Sequence, residues 1–185
     1  MIPSLLAGLR VTVATMAICV GGYTGIVWAV AQATTPFTAN GSLILAEDGT
    51  IVVGSRLIAQ GFSQPGNFWP RPSAVDYNAA GAAGSNKSPT SEDLTARATE
   101  TVAAFGATAE NPLPADLAAA SGAGLDPHIS EAGALFQAPR IAEARGLPLA
   151  TVEDLVREQA VSPGGPLTSE RIVNVLELNL ALAKL

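Results

Sequence analysis

The only histidine of the 185-residue sequence, His128, follows Asp126 by two residues and Ser121 by seven. A serine, a histidine and an aspartate can form a triad for nucleophilic hydrolysis, and an imidazole beside a carboxylate can hold a metal ion. Ser121, however, lies in Ser-Gly-Ala-Gly and not in Gly-x-Ser-x-Gly. In the structural interpretation, Pro127 stiffens a turn and Ser130 caps the next helix. The pattern favours that interpretation, and a membrane-anchored hydrolase that uses Ser121, Asp126 and His128 is the alternative.

Other candidate chemistry is weaker. Residues 81–88 read GAAGSNKS, and Asn86 stands where a phosphate-binding loop requires its second glycine. Two of the three adjacent acidic pairs, Glu92-Asp93 and Glu153-Asp154, come at predicted helix starts, where they stabilise the helix dipole. No segment spaces ligands for calcium, zinc or iron. We therefore expect no catalytic residue, no metal and no cofactor of the chain's own.

A long apolar segment precedes all of these residues. No charged residue lies between Arg10 and Glu47, and residues 11–31 are almost wholly apolar. A helix of that length measures about 30 Å, the thickness of the hydrocarbon core of a bilayer. Tyr23 and Trp28 lie toward its far end, as aromatic residues do at a membrane interface. A cleaved signal peptide is the alternative, but the run exceeds the ~7–15 apolar residues usual there.

These features predict one membrane-spanning helix that is retained in the mature protein. Arg10 and the amino terminus flank it on one side, and no Lys or Arg follows until Arg56. This asymmetry predicts a cytoplasmic N-terminus and an extracytoplasmic domain. Three small residues would let a partner helix approach closely: Gly21, Gly22 and Gly25. The predicted segments are an N-terminus over 1–10, a membrane helix over 11–32 and a soluble domain over 33–185.

The rest of the chain has the composition of one acidic domain. Sixteen Asp and Glu residues against ten Lys and Arg give the chain a net charge of −6. Such a surface repels nucleic acid, which excludes DNA and RNA as partners. The only cysteine, Cys19, falls in the apolar segment, so the chain forms no internal disulfide. About 150 residues suffice for a single domain with its own core.

Local patterns predict an α+β fold for this domain. Asp48-Gly49 between two apolar runs is typical of a β-hairpin. Residues 63–90 are rich in Pro, Gly, Asn and Ser, and their aromatic residues indicate an ordered long loop. C-terminal helices follow, predicted from Ser91 to Gly106, from Ser130 toward Gly146 with a break or a new first turn at Pro139, and from Thr151 onward. Residues 171–185 have an ambiguous period, and Asn174 as a cap favours a helix.

Six segments of the chain, in this order, resemble the C subunit of the bacterial Kdp-type potassium-transporting ATPase. They are residues 54–62 (GSRLIAQGF), 71–74 (RPSA) with 77–78 (YN), 84–86 (GSN), 121–130 (SGAGLDPHIS), 137–142 (QAPRIA) with 144–146 (ARG), and 173–182 (VNVLELNLAL). Together with the N-terminal membrane helix that precedes them, these segments extend over nearly the whole chain. Their polar and glycine residues form the structural motif of the resemblance: Arg71, Ser73, Gly84, Asn86, Gly124, Asp126, His128, Asn174 and Asn179.

The resemblance implies an accessory subunit in a bacterial plasma membrane. In that family a channel-like A subunit carries potassium, a P-type B subunit hydrolyses ATP, and a small F subunit adds one helix. The C subunit is described as aiding assembly and as a catalytic chaperone that raises the ATP affinity of the B subunit. An extracytoplasmic domain cannot touch cytoplasmic ATP. If the domain faced inward, Gln137 would be the candidate nucleotide contact; a structural cap before Pro139 is the alternative.

Overall fold

The computed structural model describes residues 2–46, 48–168 and 170–185. Two compact units are present, and the boundary between them falls after Leu43. The α+β class predicted from the sequence is confirmed, because the described residues form helices together with two small two-stranded sheets.

The first unit is dominated by one continuous helix. Helix α1 (Ile2–Met16), a π-helical stretch (Ala17–Tyr23) and helix α2 (Thr24–Thr34) follow one another without interruption. The 33 residues of Ile2–Thr34 are long and apolar enough to cross a membrane by length and composition. A four-residue helix, α3 (Pro36–Ala39), comes next.

The π-helical stretch contains two of the three glycines singled out above. Gly21 and Gly22 lie within it, and Gly25 follows in α2. A π-helix inserts an extra residue per turn, and the Thr24 hydroxyl donates a hydrogen bond to the Cys19 carbonyl five residues back. A Cβ atom built on Gly21 or Gly25 would have no atom within 4 Å. The glycines therefore leave an open strip on this helix.

The second unit contains two small sheets. Strands β1 (Leu43–Leu45) and β2 (Val52–Ser55) pair as the predicted hairpin, and Glu47 of its predicted turn lies outside the described residues. Strands β3 (His128–Ser130) and β4 (Ile172–Asn174) pair antiparallel, with Ile129 opposite Val173. This second sheet was missed in the sequence, because a three-residue strand is too short to display a period of two.

Most of the helices that the structure describes in this unit pack against the β3–β4 pair. They are α4 (Glu92–Ala104), α5 (Ala115–Ala118), α6 (Glu131–Arg145), α7 (Leu149–Gln159) and α8 (Val175–Leu182), with a 3₁₀ turn at Gly165–Leu167. The buried core is built mainly from α6, α7, α8 and the strands, and its largest members are Phe68, Leu117, Ile129, Ile141, Leu178 and Leu182. Phe68 belongs to the long loop, so the packing of the core requires that the loop be in place.

Helix α6 departs from the prediction at its centre. It begins after Ser130, whose hydroxyl accepts a hydrogen bond from the Gly133 amide at 2.8 Å, and ends at Gly146 with φ of +67°. The predicted break at Pro139 is absent, and the helix continues through it. Burial of Ala138 and Ile141 on either side of the proline outweighs its local cost of about 3 kcal/mol.

Two further boundaries differ from the predicted ones. Helix α7 begins at Leu149, and Pro148 rather than Thr151 precedes its first turn. The ambiguous C-terminal run is a strand followed at once by a helix. Asn174 ends β4, and its side chain accepts a hydrogen bond from the Glu177 amide at 3.2 Å, so it also caps α8. The spacing of apolar residues changes from that of a strand to that of a helix at Asn174, which explains why the sequence of this run favoured neither element clearly.

Candidate functional site

The long loop of residues 63–90 contains no helix or strand, and side chains from α6 and α8 hold it in place. The Asn179 carboxamide accepts from the Phe68 amide at 2.8 Å and donates to the Phe68 carbonyl at 2.9 Å. The Gln137 carboxamide does the same for Trp69, at 2.8 and 3.0 Å. Each amide thus satisfies both backbone groups of one loop residue, as a neighbouring strand would.

Two arginines extend this arrangement. Arg140 donates to the carbonyls of Pro65 and Asn67 and, at 2.8 Å, to the same Gln137 oxygen that holds Trp69. Arg145 donates to the Gly66 carbonyl at 2.6 Å and to the Asn67 side chain at 3.1 Å. We refer to the four side chains that hold residues 65–69 as the loop clamp: Gln137, Arg140, Arg145 and Asn179.

The clamp also fixes Trp69 in an aromatic cluster. The Arg140 guanidinium lies 4.0 Å from the centre of the Trp69 ring, in a cation–π contact. Trp69 packs edge-on against Phe105 at 5.3 Å between ring centres. Burial of the guanidinium lowers the pKa of Arg140 to about 10, so it remains charged at neutral pH.

A groove of about 270 Å³ opens beside this cluster. It lies between the loop and α4, and is lined by Phe62, Ser63, Trp69, Pro70, Pro72, Tyr77, Thr101, Ala104 and Phe105. Most of these residues are apolar or aromatic, and burial raises the pKa of the Tyr77 phenol, which keeps it neutral. The groove is therefore suited to apolar side chains.

A second set of contacts joins the next part of the loop to residues 116–128. Arg71 pairs with Asp126 at 3.2 Å and donates to the Asp116 carbonyl at 3.2 Å. The Ser73 hydroxyl donates to the Gly124 carbonyl at 2.7 Å. Arg71, Ser73, Gly124, Asp126 and His128 from the sequence motif thus lie in one region, and their polar groups link two loops.

Glycines allow these loops to approach. Gly124 has φ of +70°, and a Cβ there would lie 2.6 Å from a Val75 methyl and 2.9 Å from the Ala83 carbonyl oxygen. A Cβ on Gly84 would lie 2.5 Å from the Gly122 carbonyl oxygen. Asn86 adopts a left-handed conformation with φ of +49°, which asparagine tolerates better than most residues. Gly84 and Gly124 are therefore required by close backbone contact.

The structure brings Asp126 and His128 together, and among the described residues the Ser121 hydroxyl makes no hydrogen bond with the imidazole. His128 Nδ1 lies 3.3 Å from Asp126 Oδ1, and the His128 amide donates to the same oxygen at 3.0 Å. The Ser121 hydroxyl is buried and accepts from the Asp126 amide at 3.2 Å. Its hydrogen bond thus closes the turn instead of aligning a nucleophile with the base.

The negative charge of Asp126 is stabilised by the residues around it. The hydrogen bond with His128 is the main cause of its lowered pKa; the His128 amide and the charges of His128 and Arg71 act in the same direction. A carboxyl group whose pKa is lowered by folding stabilises the native state at pH values above its ordinary pKa of 3.8. That contribution is lost as the pH falls through the lowered native value, so the loop linkage is intact at neutral pH.

Two structural residues were missed by sequence reasoning. Asp116 on α5 accepts from both the amide and the hydroxyl of Ser130, at 2.8 and 2.9 Å. Arg140 follows Gln137 by three residues, a spacing that places both on one face of α6 and could have marked them as a pair. Within the described ranges, no group of three His, Cys, Asp or Glu side chains could hold a metal ion.

Comparison with known proteins identifies the class. The sequence profile of the KdpC family, described as "K+-transporting ATPase, c chain", matches residues 5–184. The chain therefore belongs to the KdpC family, whose members are subunits of a potassium-transporting ATPase. This confirms the resemblance drawn from the sequence segments.

Relatives named "Potassium-transporting ATPase KdpC subunit" are similar to this protein over most of the chain. The Parvibaculum lavamentivorans protein is 66% identical over 179 residues, which is 97% of this chain and 95% of the relative. The Cereibacter sphaeroides protein is 50% identical over 153 residues, covering 83% and 82% of the two chains. The Ralstonia nicotianae protein is 45% identical over 169 residues, covering 88% and 82%.

The loop clamp leads to a first prediction. Gln137→Leu removes both hydrogen bonds to the partly buried backbone of Trp69, so the free energy of unfolding should fall by about 1–3 kcal/mol. Denaturant titration of the purified full-length chain measures it, without any nucleotide present. Gln64→Leu is the matched control, since its exposed side chain makes no hydrogen bond in the described structure and should change stability by under about 0.5 kcal/mol. Equal stability of the two variants would contradict a structural role for Gln137.

Proposed function

We propose that this chain is a non-catalytic accessory subunit of an ATP-driven, high-affinity potassium uptake complex. In this role it aids assembly and acts as a catalytic chaperone that raises the ATP affinity of the ATP-hydrolysing B subunit. Its other partners are the potassium-carrying A subunit and the small F subunit, and these subunits rather than this chain handle ATP and potassium. Family membership and the names of the relatives support the complex.

The proposal that the subunit is non-catalytic is supported by the contacts of its polar side chains, which bind backbone groups or join two loops. Gln137, Asn179 and Asn174 bind backbone groups, and Arg71 with Asp126 joins two loops. The candidate nucleophile is likewise engaged in a turn. Side chains that are fixed in this way favour a rigid binding surface over a site that must rearrange protons during catalysis.

An effect on ATP affinity then acts indirectly. Gln137 is 1% exposed, and its oxygen accepts from both Trp69 and Arg140. A nucleotide could reach it only by displacing the loop. We therefore favour a route in which the domain stabilises one arrangement of the membrane subunits, and that arrangement sets the ATP affinity of the B subunit.

We further propose that the N-terminus is cytoplasmic and the domain extracytoplasmic, as the position of Arg10 favours. A topology reporter tests this: alkaline phosphatase fused after Leu185 should be active, because it folds only outside the cytoplasm. A green fluorescent protein fused at the same position should be dark after export. The reverse pattern would place the domain inside and would reopen direct contact with ATP.

The glycine strip of the membrane helix is proposed as a packing surface for a helix of another subunit. Gly25→Leu places a large side chain where the present structure has open space, so it should reduce co-purification of the complex at least fivefold while leaving the chain in the membrane. Val27→Phe, two residues further on and on the opposite face of α2, serves as a comparison for added bulk. Unchanged yield for Gly25→Leu would mean that the helix is only an anchor.

Two substitutions separate the accessory subunit from the alternative hydrolase. His128→Ala should leave ATP-driven potassium uptake per assembled complex within a few-fold of wild type, because His128 supports a turn. Gly124→Ala should instead lower the amount of complex, since its φ of +70° and the nearby Val75 leave no room for a Cβ. Gly122→Ala, which meets no atom within 4 Å, is the control.

Uptake and complex yield are measured on the same membranes. A hundredfold loss of uptake per complex in His128→Ala, at normal yield, would show that His128 performs chemistry and would overturn the proposal. Failure of the wild-type chain to co-purify with any transport subunit would overturn the accessory role itself.

A further inference from the structure

The hairpin formed by β1 and β2 exposes a set of large apolar side chains. Five of them, in the hairpin or just beside it, are between 46% and 63% exposed: Leu43, Leu45, Ile51, Val52 and Leu57. The Ala46 amide donates to the Ile51 carbonyl at 2.8 Å, so the pairing extends one residue beyond the strands. Successive side chains of a paired strand point to opposite faces, so Ile51 and Val52 expose apolar surface on both faces of the hairpin.

The start of this hairpin is tied to the end of the membrane helix. Gln32 and Asn40 exchange two side-chain hydrogen bonds, at 3.2 and 3.1 Å, which hold the chain after α3 against the last turns of α2. The Ser42 amide then donates to the Phe37 carbonyl at 3.0 Å. Leu43, the first residue of β1, follows Asn40 by three residues and therefore lies within about 11 Å of it.

The uncharged composition of the membrane helix continues into the hairpin. Residues 11–46 carry no charged side chain, whereas about 20 residues suffice to cross the hydrocarbon core. The surplus includes α3 and β1, and Phe37 of α3 is 50% exposed; aromatic rings are enriched at the membrane–water interface. After Asp48 the next charged residue is Arg56, so the charges of the hairpin are confined to its turn.

We propose that α3 and the β1–β2 hairpin lie in the interfacial region of the lipid bilayer and form a second attachment of the chain to the membrane. Phospholipid can cover both faces of a hairpin that starts beside a membrane helix, whereas one docked protein surface covers one face. The attachment depends on apolar burial, because Glu47 and Asp48 of the turn repel anionic headgroups and keep the turn in water. This inference goes beyond the proposed function: it requires the membrane helix and holds on either side of the membrane.

The accessibility of spin labels tests the contact with lipid. The purified complex is placed in phosphatidylcholine vesicles; Cys19→Ala removes the natural cysteine, and Leu45→Cys carries a nitroxide. Oxygen concentrates in the apolar part of a bilayer and a nickel chelate stays in water, so the ratio of the two accessibilities reports lipid contact. The ratio at Leu45→Cys should be at least about threefold higher than at Leu149→Cys. Leu149 of α7 is the matched control, since it is a leucine of similar exposure, 42% against 50%.

Two further labels test how the hairpin lies and why. Thr50→Cys, in the exposed turn, should give a ratio close to that of the control, because the turn stays in water. Leu45 faces Val52, since Ala46 faces Ile51 in the same antiparallel pair. With the label at Val52→Cys, Leu45→Asp should therefore lower the ratio at least about threefold. Leu45→Thr, which keeps a high strand propensity, should lower it in the same direction without disturbing the hairpin.

Other results would overturn the inference. A label at Leu45→Cys that the nickel chelate reaches as readily as the control lies in water. A label shielded from both reagents is covered by protein, and a label broadened by a second nitroxide lies against another copy of this chain. A ratio at Val52→Cys that neither substitution of Leu45 changes would also exclude apolar attachment.

The same labels separate this inference from the proposed function. If the wild-type chain co-purifies with no transport subunit, the accessory role fails. The labels are then read on the full-length chain alone in vesicles, where the expected ratios are unchanged. If the complex assembles and the hairpin is in water, the inference fails and the accessory role stands.

Discussion

The fold of the domain depends on hydrogen bonds to the backbone of one long loop, which has no secondary structure of its own to supply them. Phe68 places its ring in the core, so its amide and carbonyl are taken out of water with it. The Asn179 and Gln137 carboxamides replace the missing hydrogen bonds for Phe68 and Trp69. Without them the loop could not enter the core, and the aromatic groove beside α4 would lose one wall.

The other features follow from this arrangement. Arg140 can lie over Trp69 because Gln137 has already fixed the tryptophan backbone, and Phe105 can then pack on the other part of the ring. The Arg71–Asp126 pair fastens the next part of the loop to residues 116–128. Polar side chains thus act as internal supports, and the surface they hold in shape is largely apolar. This division suits a subunit that recognises neighbours in a complex.

Sequence reasoning identified the elements whose signals are local. Ser91 and Ser130 mark helix starts, Gly106 and Gly146 mark helix ends, and Asp48-Gly49 marks a hairpin, because caps and turns act within a few residues. The β3–β4 pair, the continuity of α6 through Pro139 and the loop clamp were not predictable in this way. Each depends on contacts between distant segments, and no local pattern encodes a partner more than forty residues away. The segments that resemble the family contain the residues that hold the loop, but they do not indicate which residues those side chains contact.

The contact between Phe68 and Asn179 joins residues 111 apart in the chain. The Asn179 carboxamide that holds the loop is therefore synthesised 111 residues after the loop residue that it binds. Until then the loop and its core phenylalanine have no partner, and a contact of such long range forms slowly because a large loop must close. Synthesis of α8 thus becomes the checkpoint for this domain. A chain truncated before α8 lacks the Asn179 contacts that hold the loop, so only copies that include α8 can present the groove to a larger assembly.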